Sequence, residues 1–324
     1  MGYQVKVTAR TVQGFLILSY LSIVSAWAST EMIAPSCGEF LPMVTEQWIG
    51  SPHRRVHFIP KACNKILVGD RLETIPPGVG VIKGGIAADL KDTCIDKICG
   101  QPLAPLTLYR AYVFKDSKKA LKLDFSTGGH IESPTYGNQV HVGDPARSLV
   151  GLVRTNENGL LNGGARSLMI ESWFNRGHTG LTQFIQKNGA QPTARTCSAA
   201  LVPIPEFFVE FLVFGINDTF RQGYTVPNIS VEGTVTNENS TGSVQVAVAL
   251  ETTIKGKVVP AAKGSHISTF YKSVPAASGT VSVTAVGAWG TEEGYVKGIL
   301  MMGAPDGGCA VMPSGQIFTS PHHS

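Results

Sequence analysis

The chain has 324 residues, a formal net charge of +4 at pH 7 and a hydrophobic fraction of 43%. This length is typical of about two domains, and the hydrophobic fraction is large enough to fill two cores. Lysine and arginine are scattered and form no basic stripe or arm, which argues against nucleic-acid binding. Charged residues make up only 15%, whereas glycine (36) and proline (19) are numerous. This composition favours short strands joined by turns, and it predicts an all-β fold.

The first thirty residues have the pattern of a secretory signal peptide. Lys6 and Arg10 precede an uncharged, mostly apolar run, and Ala26-Trp27-Ala28 supplies a cleavage site after Ala28. The apolar core spans about ten residues, whereas a membrane-spanning helix needs ~20. Residues 1–28 therefore predict export to the periplasm or the medium. The alternative is that translation begins at a later methionine, such as Met32.

Residues 35–175 predict an N-terminal antiparallel β-domain. Its first extended segments lie around Phe40, Trp48 and residues 56–59. The glycines of 75–85 suggest a phosphate-binding loop, but no Gly-Lys-Ser/Thr sequence follows, so we interpret this segment as a turn.

Residues 143–175 predict a strand, a turn and a second strand. The first strand covers 149–155, and the Asn and Gly residues of 156–159 tolerate the backbone of a tight reversal. In the second, Leu168, Ile170 and Ser172 lie on one face, and the intervening residues lie on the other.

This segment resembles a recurring module of bacteriophage tail proteins. The module has a Gly-Asp-x-x-Arg-(Leu/Thr)-Val-Gly strand, a polar turn and an Arg-x-(Leu/Val)-x-x-Ser-(Trp/Tyr)-Phe-Asn strand. The matching residues are Gly143, Asp144, Arg147, Leu149, Val150, Gly151, Arg166, Leu168, Ser172, Trp173, Phe174 and Asn175.

The resemblance extends outward, roughly over residues 35–303. Segments 105–114 and 119–130 look like the preceding hairpin of the same module. Residues 292–295 and Leu300 look like the Ser-Glu-Gly-Tyr-His strand near the end of the C-terminal domain of these tail proteins, although Glu292 replaces the usual Ser and Val296 the usual His. The match is loose between Gln183 and Arg221.

The resemblance implies a tail fibre, tail spike or other receptor-binding component of a phage or prophage. Such a protein binds other tail proteins and a host surface glycan or protein, is commonly a homotrimer, and resides in the virion tail after assembly in the host cytoplasm. Tail components carry no export signal, so the N-terminal segment favours a second hypothesis. In that hypothesis the chain is an exported bacterial β-sandwich adhesin or envelope-associated binding protein.

Residues 176–200 are polar, lack periodicity and predict an interdomain linker. Residues 201–324 predict a second β-domain. An apolar run covers 206–214, and strand-like segments follow at 229–236, 243–250, 279–286 and 295–302. Strands at this spacing, separated by turn residues, predict a jelly-roll-like β-sandwich.

Six cysteines could form disulfides in an exported protein and would be reduced thiols in a cytoplasmic one. Cys94 and Cys99 are the only close pair, and they are our disulfide candidate. A zinc site would need two further ligands nearby, and His322-His323 lies at the chain end. We therefore predict no metal.

No nucleophile elbow, metalloprotease helix, calcium loop or dinucleotide-binding fingerprint occurs in the sequence. Asp144 with Glu171, or Glu292 with Glu293, could be imagined as a glycosidase pair. However, an Asp in a Gly-Asp-Pro turn usually bonds local backbone N–H groups, and adjacent residues of a strand point to opposite faces. We predict that the protein is not an enzyme and needs no cofactor.

Binding is the remaining class of function. Sugar-binding surfaces place an exposed aromatic ring beside hydrogen-bonding side chains. Trp289, and Tyr271 with His266, are the candidate ligand-binding residues, and the competing interpretation is that these rings cover the end of the sandwich core.

Overall fold

The computed structural model describes residues 38–42, 53–61, 63–77, 85–162, 167–174, 181–186, 193–214, 227–238, 240–254, 257–259, 271–274, 278–285 and 294–321. Strands dominate these ranges and no helix occurs in them, so the all-β prediction is confirmed. The same ranges accordingly hold no apolar helix of membrane-spanning length.

The N-terminal module comprises the strands before residue 162 together with β14. The strands are β1 (Glu39–Pro42), β2 (Arg55–Ile59), β3 (Lys65–Val68), β4 (Arg71–Thr74), β5 (Ile86–Asp89), β6 (Thr93–Ile95), β7 (Ile98–Gln101), β8 (Leu108–Lys115), β9 (Leu121–Ser126), β10 (His130–Glu132), β11 (Gln139–His141), β12 (Asp144–Arg154) and β14 (Ile170–Ser172).

These strands form three sheets around one core. The largest sheet has the order β10-β11-β12-β8-β9-β6-β7, with β14 also paired to β12. A three-stranded sheet, β1-β2-β5, and the β3-β4 hairpin complete the module. Pairing is antiparallel except between β6 and β9, which are parallel. The predicted antiparallel domain is therefore correct in the main, with one parallel contact.

The C-terminal sandwich comprises the remaining strands. They are β13 (Ser167–Leu168), β15 (Thr182–Gln186), β16 (Ala194–Thr196), β17 (Val202–Val213), β18 (Pro227–Glu238), β19 (Val244–Ile254), β20 (Lys257–Val259), β21 (Tyr271–Val274), β22 (Ser278–Ala285), β23 (Gly294–Gly303) and β24 (Cys309–Pro321).

Two sheets of the sandwich pack face to face. One has the order β13-β17-β23-β19-β20, with β21 on β19, and the other has the order β15-β24-β18-β22, with β16 on β24. Alternate residues of both sheets fill a single core, for example Val231, Val248, Leu300 and Ile317. This alternation is the period of two that the sequence showed in residues 229–236 and 243–250.

Two turns form as their sequences predict. In the hairpin of β8 and β9, the Asp116 carboxylate accepts the backbone N–H groups of Lys118 and Ala120. In the turn after β12, Asn156 accepts the N–H groups of Asn158 and Leu160, and Gly159 has the positive φ of 67° that the reversal requires.

The second strand of the 143–175 segment differs from the prediction. Residues 167–172 form two short strands instead of one, because the chain changes sheets at Met169. β13 pairs in parallel with β17 of the sandwich, whereas β14 pairs with β12 of the N-terminal module. The segment is buried on both faces, and it connects the two parts of the molecule.

The linker predicted at 176–200 also needs correction. β15 and β16 lie within it, and both pair with β24. Their short length and the surrounding Gly and Pro residues hid any period in the sequence. The sandwich therefore begins before residue 201, and it uses β24 as its longest strand.

Disulfides close two loops of very different size. Cys94 and Cys99 are joined within the β6-β7 hairpin, and Cys197 is joined to Cys309 across a separation of 112 residues. Cys63 is disulfide-bonded as well. The second bridge ties the start of β24 to the segment before β17, at one end of the sandwich.

The two cores meet at Trp173. Its ring is 3% exposed and contacts the ring of Phe214, with centroids 4.8 Å apart in an edge-on arrangement. Leu212 and Phe214, at the end of β17, and Tyr295 of β23 pack into the core of the N-terminal module and not into the sandwich. The two modules are therefore joined by continuous apolar packing.

We expect Trp173→Ala to lower the free energy of unfolding by about 3–5 kcal/mol, because it empties a large buried volume at this junction. Urea denaturation measures the change, with unfolding monitored by far-UV circular dichroism, whose signal comes mainly from the backbone. Leu72→Ala is the control, because Leu72 is 47% exposed on β4, and its effect should stay within about 0.5 kcal/mol. Equal effects of the two substitutions would contradict the packing described here.

Candidate functional site

The densest group of charged side chains lies beside the β6-β7 turn. Asp96 and Lys97 form this two-residue turn, and both have positive φ, of 49° and 65°. Such a turn matches the twist of a hairpin, but non-glycine residues adopt this conformation at a cost. The Cys94–Cys99 disulfide joins the strands on either side of it. The turn is held in place by a covalent bond, so its side chains have fixed positions.

Arg147 of β12 is the centre of the group. Its Nη1 donates to Asp124 Oδ2 and lies 3.1 Å from Asp96 Oδ1, while its Nε lies 3.4 Å from Asp144 Oδ2. Asp124 is fully buried and also accepts the backbone N–H of Lys97 at 2.8 Å. Lys97 Nζ lies 2.5 Å from Asp144. Three carboxylates and two cations therefore share one partly buried network.

The ionisation of the network follows from these contacts. Burial raises the pKa of Asp124, against the opposing effects of the Lys97 N–H and of Arg147. Burial alone would lower the pKa of Arg147, but Asp124 and Asp96 raise it overall, so the guanidinium stays charged. Desolvation also acts on Asp96, yet hydrogen bonds from Ser126 and Arg147 lower its pKa. The Arg147 cation therefore opposes the effect of burial on the pKa of both Asp96 and Asp124.

His141 and Ser126 lie at the edge of the network. Ser126 Oγ is 3.1 Å from His141 Nε2, and the His141 ring packs edge-on against Tyr112. The Arg147 guanidinium lies over the same Tyr112 ring, 5.4 Å from the ring centre. Burial and the charge of Arg147 lower the pKa of His141. The side chain of His141 is only 14% exposed.

The Ser126–His141 contact does not form a catalytic triad. A triad needs an acid on the imidazole nitrogen away from the serine, whereas Asp96 lies 3.8 Å from the same Nε2 that contacts Ser126. Ser126 is 1% exposed, and its Oγ accepts the N–H of Gly128. The serine is closed off from any substrate, so the arrangement is structural.

The imagined carboxylate pair of Asp144 and Glu171 is also separated in space. Glu171 lies opposite Leu152, eight residues along β12 from Asp144, a distance of roughly 25 Å at the rise of a strand. A glycosidase needs about 5–9.5 Å. Asp144 accepts the local N–H of Ala146, as expected for a turn aspartate. Glu292 and Glu293 lie outside the described residues.

A second polar cluster lies between the modules. Glu210 of β17 is 6% exposed and accepts hydrogen bonds from Tyr295 Oη at 2.6 Å and Ser167 Oγ at 2.8 Å. Burial and the Glu210 carboxylate raise the pKa of Tyr295, so the phenol remains a donor. The Arg154 guanidinium of the N-terminal module lies 4.0 Å from the centre of the Tyr295 ring. The cluster therefore adds polar contacts to the junction between the two modules.

Of the three candidate ligand-binding residues, one lies within the described residues. Trp289 and His266 lie outside the described residues. Tyr271 begins β21, where its backbone is opposite Ala247 of β19, and its side chain is not described. The predicted disulfide candidates, Cys94 and Cys99, are brought together by the structure.

No group of three or more His, Cys, Asp or Glu side chains in the described ranges is arranged to hold a metal ion. Sequence reasoning missed the network of Asp96, Asp124 and Arg147. A signal was available, since Asp124 stands between Leu123 and Phe125 in an apolar strand. A buried carboxylate in such a strand requires a cation or several hydrogen bonds, but its partner lies 23 residues away and could not be identified.

We expect Arg147→Met to lower the free energy of unfolding by about 3–5 kcal/mol, because Asp124 would be left buried without its cation. The matched control is Arg54→Met, which removes an ion pair to Asp89 from an arginine that is 55% exposed; this should cost at most about 1 kcal/mol. Urea denaturation at pH 7 measures both. A loss for Arg147→Met no larger than for Arg54→Met would contradict the central role of Arg147.

The lowered pKa of His141 makes the stability of the fold depend on pH. Its folded-state pKa is lowered below the unfolded value of about 6.5, so the unfolded chain binds the proton more readily. Stability is therefore complete above about pH 6.5 and falls as the pH drops through that value towards the folded pKa. We expect His141→Gln to reduce this loss between pH 7.5 and pH 5.5 in urea titrations. An unchanged slope would contradict this assignment.

Comparisons with known proteins give little. No protein-family model matches the chain, and no curated protein matches it. Among solved structures, the insecticidal crystal protein Cry2Aa shows 9% identity and a TM-score of 0.20, with 88% of this chain and 50% of that protein covered. The chain thus spans about half the length of that protein, and a likeness this weak supports no conclusion about fold or activity.

Proposed function

We propose that this chain is a non-enzymatic structural and host-attachment component of a bacteriophage or prophage tail. The N-terminal module would join it to other tail proteins, and the C-terminal sandwich would contact a glycan or protein of the host surface. A homotrimeric assembly in the virion tail is part of the same proposal.

The observation that carries the proposal is the position of the residues shared with tail proteins. Arg147 is the centre of the buried ion network, and Trp173 joins the two cores. Gly151 allows close packing, since a Cβ there would lie 2.3 Å from the Glu171 carbonyl oxygen. Ser172 Oγ accepts the N–H of Phe40. Arg166 and Asn175 of the pattern lie outside the described residues. The structural tasks of Arg147, Gly151, Ser172 and Trp173 are those expected of a scaffold module.

The chemistry of the clusters supports a non-catalytic role. The Ser126 hydroxyl is closed off from solvent, and the carboxylates of Asp96, Asp124 and Asp144 all contact the Arg147 cation. Groups engaged in this way stabilise a fold and are poor nucleophiles or general bases.

An exported bacterial adhesin or envelope-associated binding protein is the second candidate. The disulfides at Cys94–Cys99 and Cys197–Cys309 favour it, because such bonds persist in oxidising compartments. The signal-like residues 1–28 favour it as well. In this case the same two modules would bind a surface ligand outside the cell.

Mass spectrometry of density-purified phage particles from a producing culture separates the two candidates. The tail proposal expects peptides of this chain in the particles, in a fixed ratio to other tail proteins, and antibody labelling at the tail in electron micrographs. Absence from particles, together with a mature N-terminus at Ser29 in a periplasmic or secreted fraction, would overturn the tail proposal in favour of the exported protein.

A further inference from the structure

One sheet of the C-terminal sandwich presents a regular polar face to solvent. The sheet of β15, β24, β18 and β22 directs Ile185, Ile317, Val231 and Val281 into the core. Successive side chains of a strand point to opposite faces, so their neighbours point outward. The outward side chains of these four strands include Thr182, Phe184, Ser314, Gln316, Phe318, Asn228, Glu232, Thr234, Thr280, Ser282 and Thr284. Ser230 points to the same side but is only 5% exposed.

The strand register arranges these residues in rows across the sheet. Phe184 is opposite Gln316, Gln316 is opposite Glu232, and Glu232 is opposite Ser282. Neighbouring strands are about 4.8 Å apart, so these four side chains form a continuous row about 14 Å long. We call it the Phe184 row.

The adjacent row repeats the pattern with a second aromatic ring. It contains Thr182, Phe318, Ser230 and Thr284, again as direct cross-strand partners. Phe318 lies diagonally from Phe184 on the neighbouring strand, a Cβ separation of roughly 7–8 Å or less. The Ser230 hydroxyl is buried and hydrogen-bonded to Thr284. The two rings therefore lie close together on this face, beside the hydroxyl groups at its edge.

Phe184 is unusual for its exposure. It is 54% exposed in the folded chain, whereas the large aromatic residues of both cores are almost fully buried. No contact of the Phe184 ring is recorded among the residues that the structure describes. Within the described part of the chain, no hydrogen bond or ion pair uses the side chains of Gln316 and Glu232, so these groups can meet a ligand.

The charge of the face selects among ligands. Glu232 is the only charged residue of the two rows. Arg195 of β16, the strand paired to β24, and Glu238 at the end of β18 carry opposite charges on the same sheet and form an ion pair 3.2 Å apart. Nucleic acids and acidic polysaccharides need cations on the surface that binds them. The central part of a protein interface is usually apolar, whereas this face is mostly Ser, Thr, Asn and Gln. A neutral, hydroxyl-rich ligand with an apolar face is complementary to it.

We propose that the Phe184 row binds a neutral oligosaccharide. Phe184 would stack on the C–H face of one sugar ring, while Gln316 and Glu232 would hydrogen-bond its hydroxyl groups. Phe318 would support the neighbouring sugar. This inference rests on the proposed host-attachment function and names its ligand class, at a surface separate from Trp289, Tyr271 and His266.

The test uses the purified full-length chain on an array of neutral oligosaccharides built from glucose, galactose, mannose and N-acetylglucosamine, with sialylated and uronic acid glycans alongside. We expect binding to at least one neutral glycan and none to the acidic ones. Phe184→Ala should weaken that binding by about tenfold, the value of one aromatic contact, and Phe184→Trp should retain it. Glu232→Ala should weaken it further.

Leu72→Ala is the matched control, because it removes an exposed apolar side chain of the N-terminal module and should leave glycan binding unchanged. Equal binding by Phe184→Ala and the wild type would overturn the site, and binding to no neutral glycan would overturn the ligand class. A dimer seen by light scattering that Phe184→Ala dissociates would assign the face to a second copy of the chain instead. Incorporation of the Phe184→Ala variant into phage particles is measured separately. If the variant is incorporated but the glycan site is refuted, the tail proposal still stands.

Discussion

The salt bridge between Arg147 and Asp124 is the contact on which the N-terminal module depends. Asp124 lies in the middle of β9 with no exposed surface, so its charge is tolerable only beside a cation with a matching geometry. Arg147 satisfies it and at the same time reaches Asp96 in the β6-β7 turn and Asp144 at the start of β12. A single guanidinium therefore ties three parts of the large sheet together, including a turn whose backbone is unfavourable for its residues.

This constraint extends to the sandwich through β12. The strand carries Arg147 near its beginning and Arg154 at its end, and Arg154 lies over the ring of Tyr295 in β23. Tyr295 in turn donates to Glu210, which also holds Ser167. The two buried polar clusters are thus placed along one strand of eleven residues. Trp173 and Phe214 add an apolar contact at the same junction, so the modules meet through hydrogen bonds and through apolar packing.

The sequence predicted the fold best where side-chain periods are regular. The alternation of residues 229–236 and the apolar run of 206–214 both correspond to strands, because one-sided or two-sided burial leaves a visible pattern. β24 was not predicted, since Pro313 and Gly315 interrupt its period. β15 and β16 were taken for a linker, because strands of five and three residues are too short to show one. Their pairing is decided by β24, more than a hundred residues away.

In the candidate sites, too, the sequence predicted the local contacts and not the long-range ones. Cys94 and Cys99 could be paired from their spacing alone, because a local contact needs no knowledge of topology. Asp124 and Arg147, like Glu210 and Tyr295, are partners only once sheet order is known, so composition and spacing could not reveal them. The Phe184 row is a further case, since Phe184, Gln316 and Glu232 come from three distant segments.

The placement of charge separates the stabilising surfaces from those available for binding. Buried or half-buried charged groups concentrate in β9, β12 and the β6-β7 turn, where they neutralise one another. The rows around Phe184 on the outer face of the β15-β24-β18-β22 sheet carry one charge, that of Glu232, and keep an aromatic side chain in solvent. A single exposed ring is common on protein surfaces, and what distinguishes Phe184 is the row of polar side chains beside it on a paired strand. A flat, nearly neutral face on a strand scaffold offers stacking without a change in conformation, which suits recognition of a neutral glycan more than it suits catalysis.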